Sequence, residues 1–154
     1  MASAFRHRNL PHLLLRARET FMTRFRPILR EHGITEQQWR VLRTLHDTGD
    51  MEPNQLADAC LILSPSLTRM LAAMEQSEMI VRNRSSVDQR RQMISLTSKS
   101  RQFLADVEPQ VDAEYSRIEA LLGPARLEAL YSTIDESVQV MESHTPLPRL
   151  TSND

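Results

Sequence analysis

Residues 80–101 read IVRNRSSVDQRRQMISLTSKSR. Two β-prone runs, Ile80–Arg84 and Met93–Thr97, flank a polar loop that carries Asp88, Arg90 and Arg91 and contains no glycine. The segment just before it, Ser64 to about Ser77, has helical spacing: Leu67, Met70, Leu71 and Met74 fall on one side. Ser64 is expected to cap this helix and Pro65 to open it. A short helix followed by an arginine-tipped hairpin suits DNA, with the helix in the major groove and the loop reaching the minor groove.

Asn9 caps a first helix with Pro11 in its first turn, and Leu10, Leu13, Leu14, Ala17, Phe21, Phe25, Ile28 and Leu29 recur at helical spacing. Pro27 is expected to kink that helix, and Gly33 to stop it. Thr35 and Gln38 form a capping box for a second helix bearing Trp39, Leu42 and Leu45, which ends near Gly49. A third, short helix covers Pro53 to Cys60. After the hairpin, Thr97 opens a long helix to about Leu122, bent at Pro109. Gly123-Pro124 separates it from a last helix with Leu127, Leu130, Tyr131, Ile134, Val138 and Met141.

The order α-α-α-α-β-β-α-α defines a mainly α fold with a small β-hairpin: a winged helix-turn-helix over 34–97. The helices at 9–33 and 98–142 carry more apolar surface than so small a module covers, so they are expected to be dimerisation helices. All 154 residues form one domain, with a basic arm at 1–8 and a disordered tail at 143–154.

Net charge is −1, but its distribution is uneven. Residues 64–101 carry seven Arg or Lys against three acids, and residues 102–154 carry three Arg against ten acids. A basic middle segment fits phosphate binding, and acidic surroundings limit non-specific adhesion to DNA. The one cysteine, Cys60, excludes an intramolecular disulfide. With no apolar signal region and no apolar run of the ~20 residues that span a bilayer, a cytoplasmic location is expected, with no membrane partner. His7, His12, His32, His46 and His144 show no ligand spacing, so neither a metal nor another cofactor is expected. No nucleophile motif or phosphate loop points to an enzyme.

On the Ser64–Ser77 helix the apolar set leaves Pro65, Ser66, Thr68, Arg69 and Ala72 facing outward. Short hydroxyl side chains near a helix N-terminus suit phosphate and base edges, and Arg69 has the fork geometry for a guanine. Arg82, Arg84 and Arg91 are expected to meet phosphates, and Asn54 and Gln55, opening the third helix, can meet the backbone too.

The run DQRRQMISLT, with its Asp-x-Arg pair, a strand, and Leu-Thr opening the next helix, resembles the wing signature of the MarR family of bacterial repressors. That resemblance implies a homodimer on a pseudo-palindromic DNA operator. The helix beginning at Ser64 would read the major groove through Ser64, Ser66, Thr68 and Arg69. Arg90 would be the minor-groove arginine and Asp88 its internal partner. The segments RHRNLPHLLLRARE, TEQQWRVLRTL, LSPSLTRML and DQRRQ resemble the subgroup regulating homoprotocatechuate (4-hydroxyphenylacetate) degradation, over residues 5–142. Repressors of other aromatic-acid pathways share similar segments.

Relatives of this kind often bind small aromatic carboxylates between the dimerisation helices and the DNA-binding lobe. A cation and apolar walls are required. His12, Arg16, Trp39, Arg40 and Tyr115 are the candidates for this effector site. Two other readings are a redox-responsive repressor using Cys60, and a winged-helix module that binds protein. Cys60 lies among apolar residues, as a small buried hydrophobe would.

Overall fold

A computed structural model describes residues 5–145. Among them are six helices and one two-stranded sheet. The helices are α1 (Leu10–Glu31), α2 (Glu36–Thr48), α3 (Pro53–Cys60), α4 (Ser64–Gln76), α5 (Ser98–Leu122) and α6 (Pro124–His144). The strands β1 (Ile80–Arg84) and β2 (Gln92–Leu96) lie between α4 and α5. The fold is therefore mainly α with a β-hairpin wing.

Local chemistry sets the boundaries. The Asn9 side chain accepts the His12 N–H at 3.2 Å, starting α1. The Thr35–Gln38 box closes reciprocally, with both bonds at 3.1 Å. Thr97 caps α5 by accepting the Ser100 N–H at 3.1 Å. Pro27 and Pro109 lie inside α1 and α5, each of which continues as one helix through its proline. Three expectations need correction. The N-cap of α4 is Leu63, and Ser64 is the first helical residue. Strand β2 is shifted one residue toward the N-terminus, because Thr97 serves as a cap. Helix α6 runs through Ser143 to His144, where a tail was expected; the rest of that expected tail, residues 146–154, lies outside the described residues, as do residues 1–4 of the expected basic arm.

The core gathers Val41, Leu42 and Leu45 from α2, Leu56 from α3, Leu67, Leu71 and Met74 from α4, Ile80 and Ile94 from the hairpin, and Leu104 from α5. At roughly 25 cal/mol per Å² of apolar surface, this burial is the main force holding the winged lobe together. A further bridge joins Met51 to Ile94, through bonds of 3.2 and 2.7 Å, and ties the base of the wing to the segment before α3. Helices α1 and α5 pack together, and Leu29 of α1 and Val107, Val111 and Ile118 of α5 are buried. Between them Glu114, itself buried, is paired with Arg24 and, at 2.8 Å, with Arg117.

Helix α6 buries none of its residues. Leu130, Tyr131, Ile134, Val138 and Met141 remain exposed along it. No single helix among the described residues is long and apolar enough to cross a membrane.

Candidate nucleic-acid interface and effector cavity

Helices α3 and α4 meet at 110°, joined by a turn in which Leu61 adopts the left-handed conformation at φ 52. That angle lies within the range of helix-turn-helix pairs. Leu67, Leu71 and Met74 point inward, so the opposite face of α4 is set by the helical period. It carries Pro65, Thr68, Arg69 and Ala72 in the open, with Ser64 and Ser66 half-buried beside them. The Thr68 hydroxyl donates to the Ser64 carbonyl at 2.9 Å, which leaves its oxygen able to accept. Asn54 and Gln55 are exposed at the start of α3. The side-chain carbonyl of Gln55 accepts the Glu52 N–H at 3.1 Å, leaving its amide group outward.

The wing is held in shape by its own short polar residues. Ser85 Oγ accepts the N–H groups of Val87 and Asp88, at 3.2 and 3.4 Å. Asp88 Oδ1 accepts the Arg90 N–H at 2.9 Å. The Asp88 carbonyl takes the Arg91 N–H at 3.0 Å, and Ser85 N–H reaches the Arg91 carbonyl at 2.9 Å. Asp88 thus partners the backbone of Arg90 within the loop.

The four wing arginines differ. Arg82 is paired with Glu75 at 3.2 Å, and Arg84 donates to the Gln89 carbonyl at 3.1 Å. Arg91, expected at a phosphate, is paired with Glu52, and the guanidinium holds that carboxyl below the usual range. Arg90 has no side-chain partner among the described residues, and neither does Arg69 on α4. Both guanidinium groups belong to exposed residues, one on α4 and one in the wing.

A cavity of about 440 Å³ lies between the winged lobe and the long helices. Helix α1 contributes Arg18, Phe21, Met22 and Phe25; α2 contributes Trp39, Arg43 and Asp47; α5 contributes Tyr115; and α6 contributes Tyr131. Its volume is in the range of small-molecule sites. Phe25 and Tyr115 stack at a tilt with centroids 4.9 Å apart. Arg43 Nε donates to Asp47 at 2.8 Å, which leaves both terminal nitrogens for another acceptor. Arg43, with a smaller contribution from His46, keeps the Asp47 carboxyl below its usual range, while burial pushes the Tyr115 hydroxyl up.

Of the five effector candidates, Trp39 and Tyr115 line this cavity. Arg40 does not; it turns to the Cys60 carbonyl at 2.8 Å. His12 and Arg16 lie on an exposed stretch of α1 outside the cavity lining. The cations present are Arg18 and Arg43, which the sequence reading missed. Helical spacing contains the signal: Arg43 is one turn beyond Trp39, and Arg18 shares a face with Phe21, Met22 and Phe25. Arg18 is also engaged, by Glu19 at 2.8 Å and Glu36 at 3.1 Å.

The 110° helix pair, the wing and the long flanking helices define a winged helix-turn-helix transcription regulator. The MarR family model matches residues 34–91. The homoprotocatechuate degradative operon repressor of Escherichia coli is 36% identical over 137 residues, which are 89% of this chain and 93% of that protein. The chain belongs to the MarR family and is a transcriptional repressor of that type. Two solved structures are similar. NadR in complex with 4-hydroxyphenylacetate is 37% identical, with a TM-score of 0.80 over 88% of this chain and 96% of the other. The repressor CouR bound to a 23-mer DNA duplex is 29% identical, with a TM-score of 0.74 over 84% of this chain and 92% of the other.

Proposed function

We propose that this repressor acts as a homodimer that releases a pseudo-palindromic operator when a small aromatic carboxylic acid enters the cavity between its lobes. The convergence of Trp39, Arg43 and Tyr115 in that cavity carries the reading. The ring of the acid lies between Trp39, Phe25 and Tyr115, and its carboxylate takes the terminal nitrogens of Arg43. The similar NadR structure, which holds 4-hydroxyphenylacetate, supports this class of ligand.

The dimer is formed by the apolar faces that α1 and α6 leave uncovered. It sets the two α4 helices about one DNA turn apart, in successive major grooves. Arg69 and the Ser64–Thr68 edge face the bases. Arg90 enters the minor groove, and Arg82 and Arg84 flank the phosphates. Arg91 orients the wing through Glu52.

The acid touches α2 on one side and α1, α5 and α6 on the other, so it favours one arrangement of the lobes. It can shift the equilibrium only by its differential affinity for the free and DNA-bound arrangements. A peroxide-type switch at Cys60 has no support, since the thiol is fully buried and desolvation raises its pKa, disfavouring the reactive thiolate.

The test is fluorescence anisotropy on the DNA upstream of the repressor's own coding sequence. Salt is titrated first, then 4-hydroxyphenylacetate, homoprotocatechuate, salicylate and 6-hydroxynicotinate are added in turn. Salt-sensitive binding released by one acid is expected. Binding that no acid disturbs would refute the effector assignment, and absence of binding at low salt would refute the whole reading.

A further inference from the structure

A second cavity, of about 420 Å³, lies where the end of α4 meets the start of α5 and the α1–α2 turn. None of its lining residues is shared with the first cavity. Met74, Met79 and Phe103 supply apolar walls. The His32 ring stands edge-on to Phe103, with centroids 5.9 Å apart, and its Nε2 is engaged by Gln110 at 2.9 Å. The polar side is made by Gln38 and Lys99.

Both polar groups have donors to spare. The side-chain oxygen of Gln38 closes the α2 capping box, leaving the amide N–H groups of that side chain without a partner among the described residues. The Lys99 ammonium donates to the Ser77 carbonyl at 2.8 Å, which occupies one of its three hydrogens. A charged donor, a neutral donor and an aromatic–thioether wall in one recess match a small aromatic carboxylate. We propose that this recess is a second effector site. The carboxylate binds Lys99 and Gln38, and the ring packs on Phe103 between Met74 and Met79.

The location gives such a site its own route to DNA. Ser77 is the C-cap of α4, and the next residue, Glu78, is a non-glycine held at φ 61. Two bonds from the start of α5 fasten this turn: Lys99 to Ser77, and the Thr97 hydroxyl to the Glu78 carbonyl at 2.7 Å. A carboxylate on the spare hydrogens of Lys99 shares the ammonium with the Ser77 carbonyl, and so bears directly on the first of them. The second site therefore acts on the anchoring of α4 itself, while the first acts on the arrangement of the lobes.

The experiment uses the full-length protein labelled with ¹³C at the methionine methyl groups, titrated with salicylate and with 4-hydroxyphenylacetate. Met22 reports the first cavity, and Met74 and Met79 the second. Saturable shifts of Met74 and Met79 are expected in the wild type and retained in Arg43→Gln. Lys99→Gln should weaken them roughly tenfold or more, from loss of a charge-assisted bond, while Met22 titrates normally. Shifts confined to Met22, no shift of Met74 or Met79 with either acid, or an unaltered titration in Lys99→Gln would each overturn the second site. Failure of the first cavity would show separately, at Met22.

Discussion

The guanidinium of Arg91, in the wing, is paired with the carboxylate of Glu52, the residue that precedes α3. This pair and the Met51–Ile94 bridge fasten the base of the wing to the helix-turn-helix. It divides neighbouring arginines by task, since Arg90 is left unpaired. Arg90→Ala is expected to remove one cation from the minor groove and reduce the salt slope of DNA binding by up to roughly 0.9. Arg91→Ala should weaken binding by loosening the wing while leaving the slope near that of the wild type. Anisotropy titrations at several salt concentrations distinguish the two; equal slope losses would make Arg91 a direct contact.

Arg69, also without a side-chain partner among the described residues, stands on the outward face of α4. Arg69→Ala is expected to cost about 1–3 kcal/mol at one base position and to relax specificity there, as loss of a bidentate base contact does. Competition among operators mutated one base pair at a time is the check. A uniform loss across all positions would instead assign Arg69 to phosphate.

The cavity assignment predicts a separation of functions. Arg43→Gln should bind operator DNA like the wild type yet respond poorly to the aromatic acid, with a midpoint shifted roughly tenfold or more, for loss of a charge-assisted pair. Trp39 is the only tryptophan, so its fluorescence reports occupancy directly. An Arg43→Gln protein released by the acid at the wild-type midpoint would remove Arg43 from the site.

The part of the fold legible in the sequence was the part set by local chemistry. Thr35–Gln38, Thr97 and the 80–96 hairpin were readable because capping residues and strand runs act on near neighbours. The Glu52–Arg91 pair was not, since it joins residues 39 positions apart and depends on how the wing folds back. Arg40 adjoins Trp39 in sequence, whereas Arg43 lies one turn beyond it on the same face of α2. One residue along a helix turns the side chain by about 100°, so Arg40 reached the Cys60 carbonyl instead. Ser64 looked like a cap from its type, but the tight turn after α3 makes Leu63 the last non-helical residue. The surplus apolar surface expected of the last helix is seen in α6, whose apolar stripe remains uncovered in the protomer.

That stripe predicts the behaviour of a further variant. Ile134→Glu places a charge on the uncovered face and is expected to shift the protein from dimer to monomer in sedimentation experiments, with operator affinity falling in parallel. A monomer that still bound the full site tightly would contradict the paired-helix docking.

Glu114 gives a pH dependence of defined sign. Arg117 and Arg24 hold its carboxyl below the ordinary value, so the folded state favours the carboxylate. Its contribution is therefore complete above the unfolded glutamate range, about pH 4.3, and is lost as pH falls through the lower folded value. Glu114→Gln should melt at a lower temperature than the wild type at neutral pH, and the gap should narrow on acidification below roughly pH 4. Thermal melts across that range test it; a constant gap would mean that charge is not the cause.

The central claim is that one small acid and one operator compete through the same repressor. Linkage requires the coupling to be reciprocal. The decisive measurement is the affinity for the releasing acid, read from Trp39 fluorescence, in the free protein and in the protein saturated with operator DNA. The account predicts weaker binding to the DNA complex, by the same factor by which the acid weakens DNA binding. Equal affinity in the two states would contradict it.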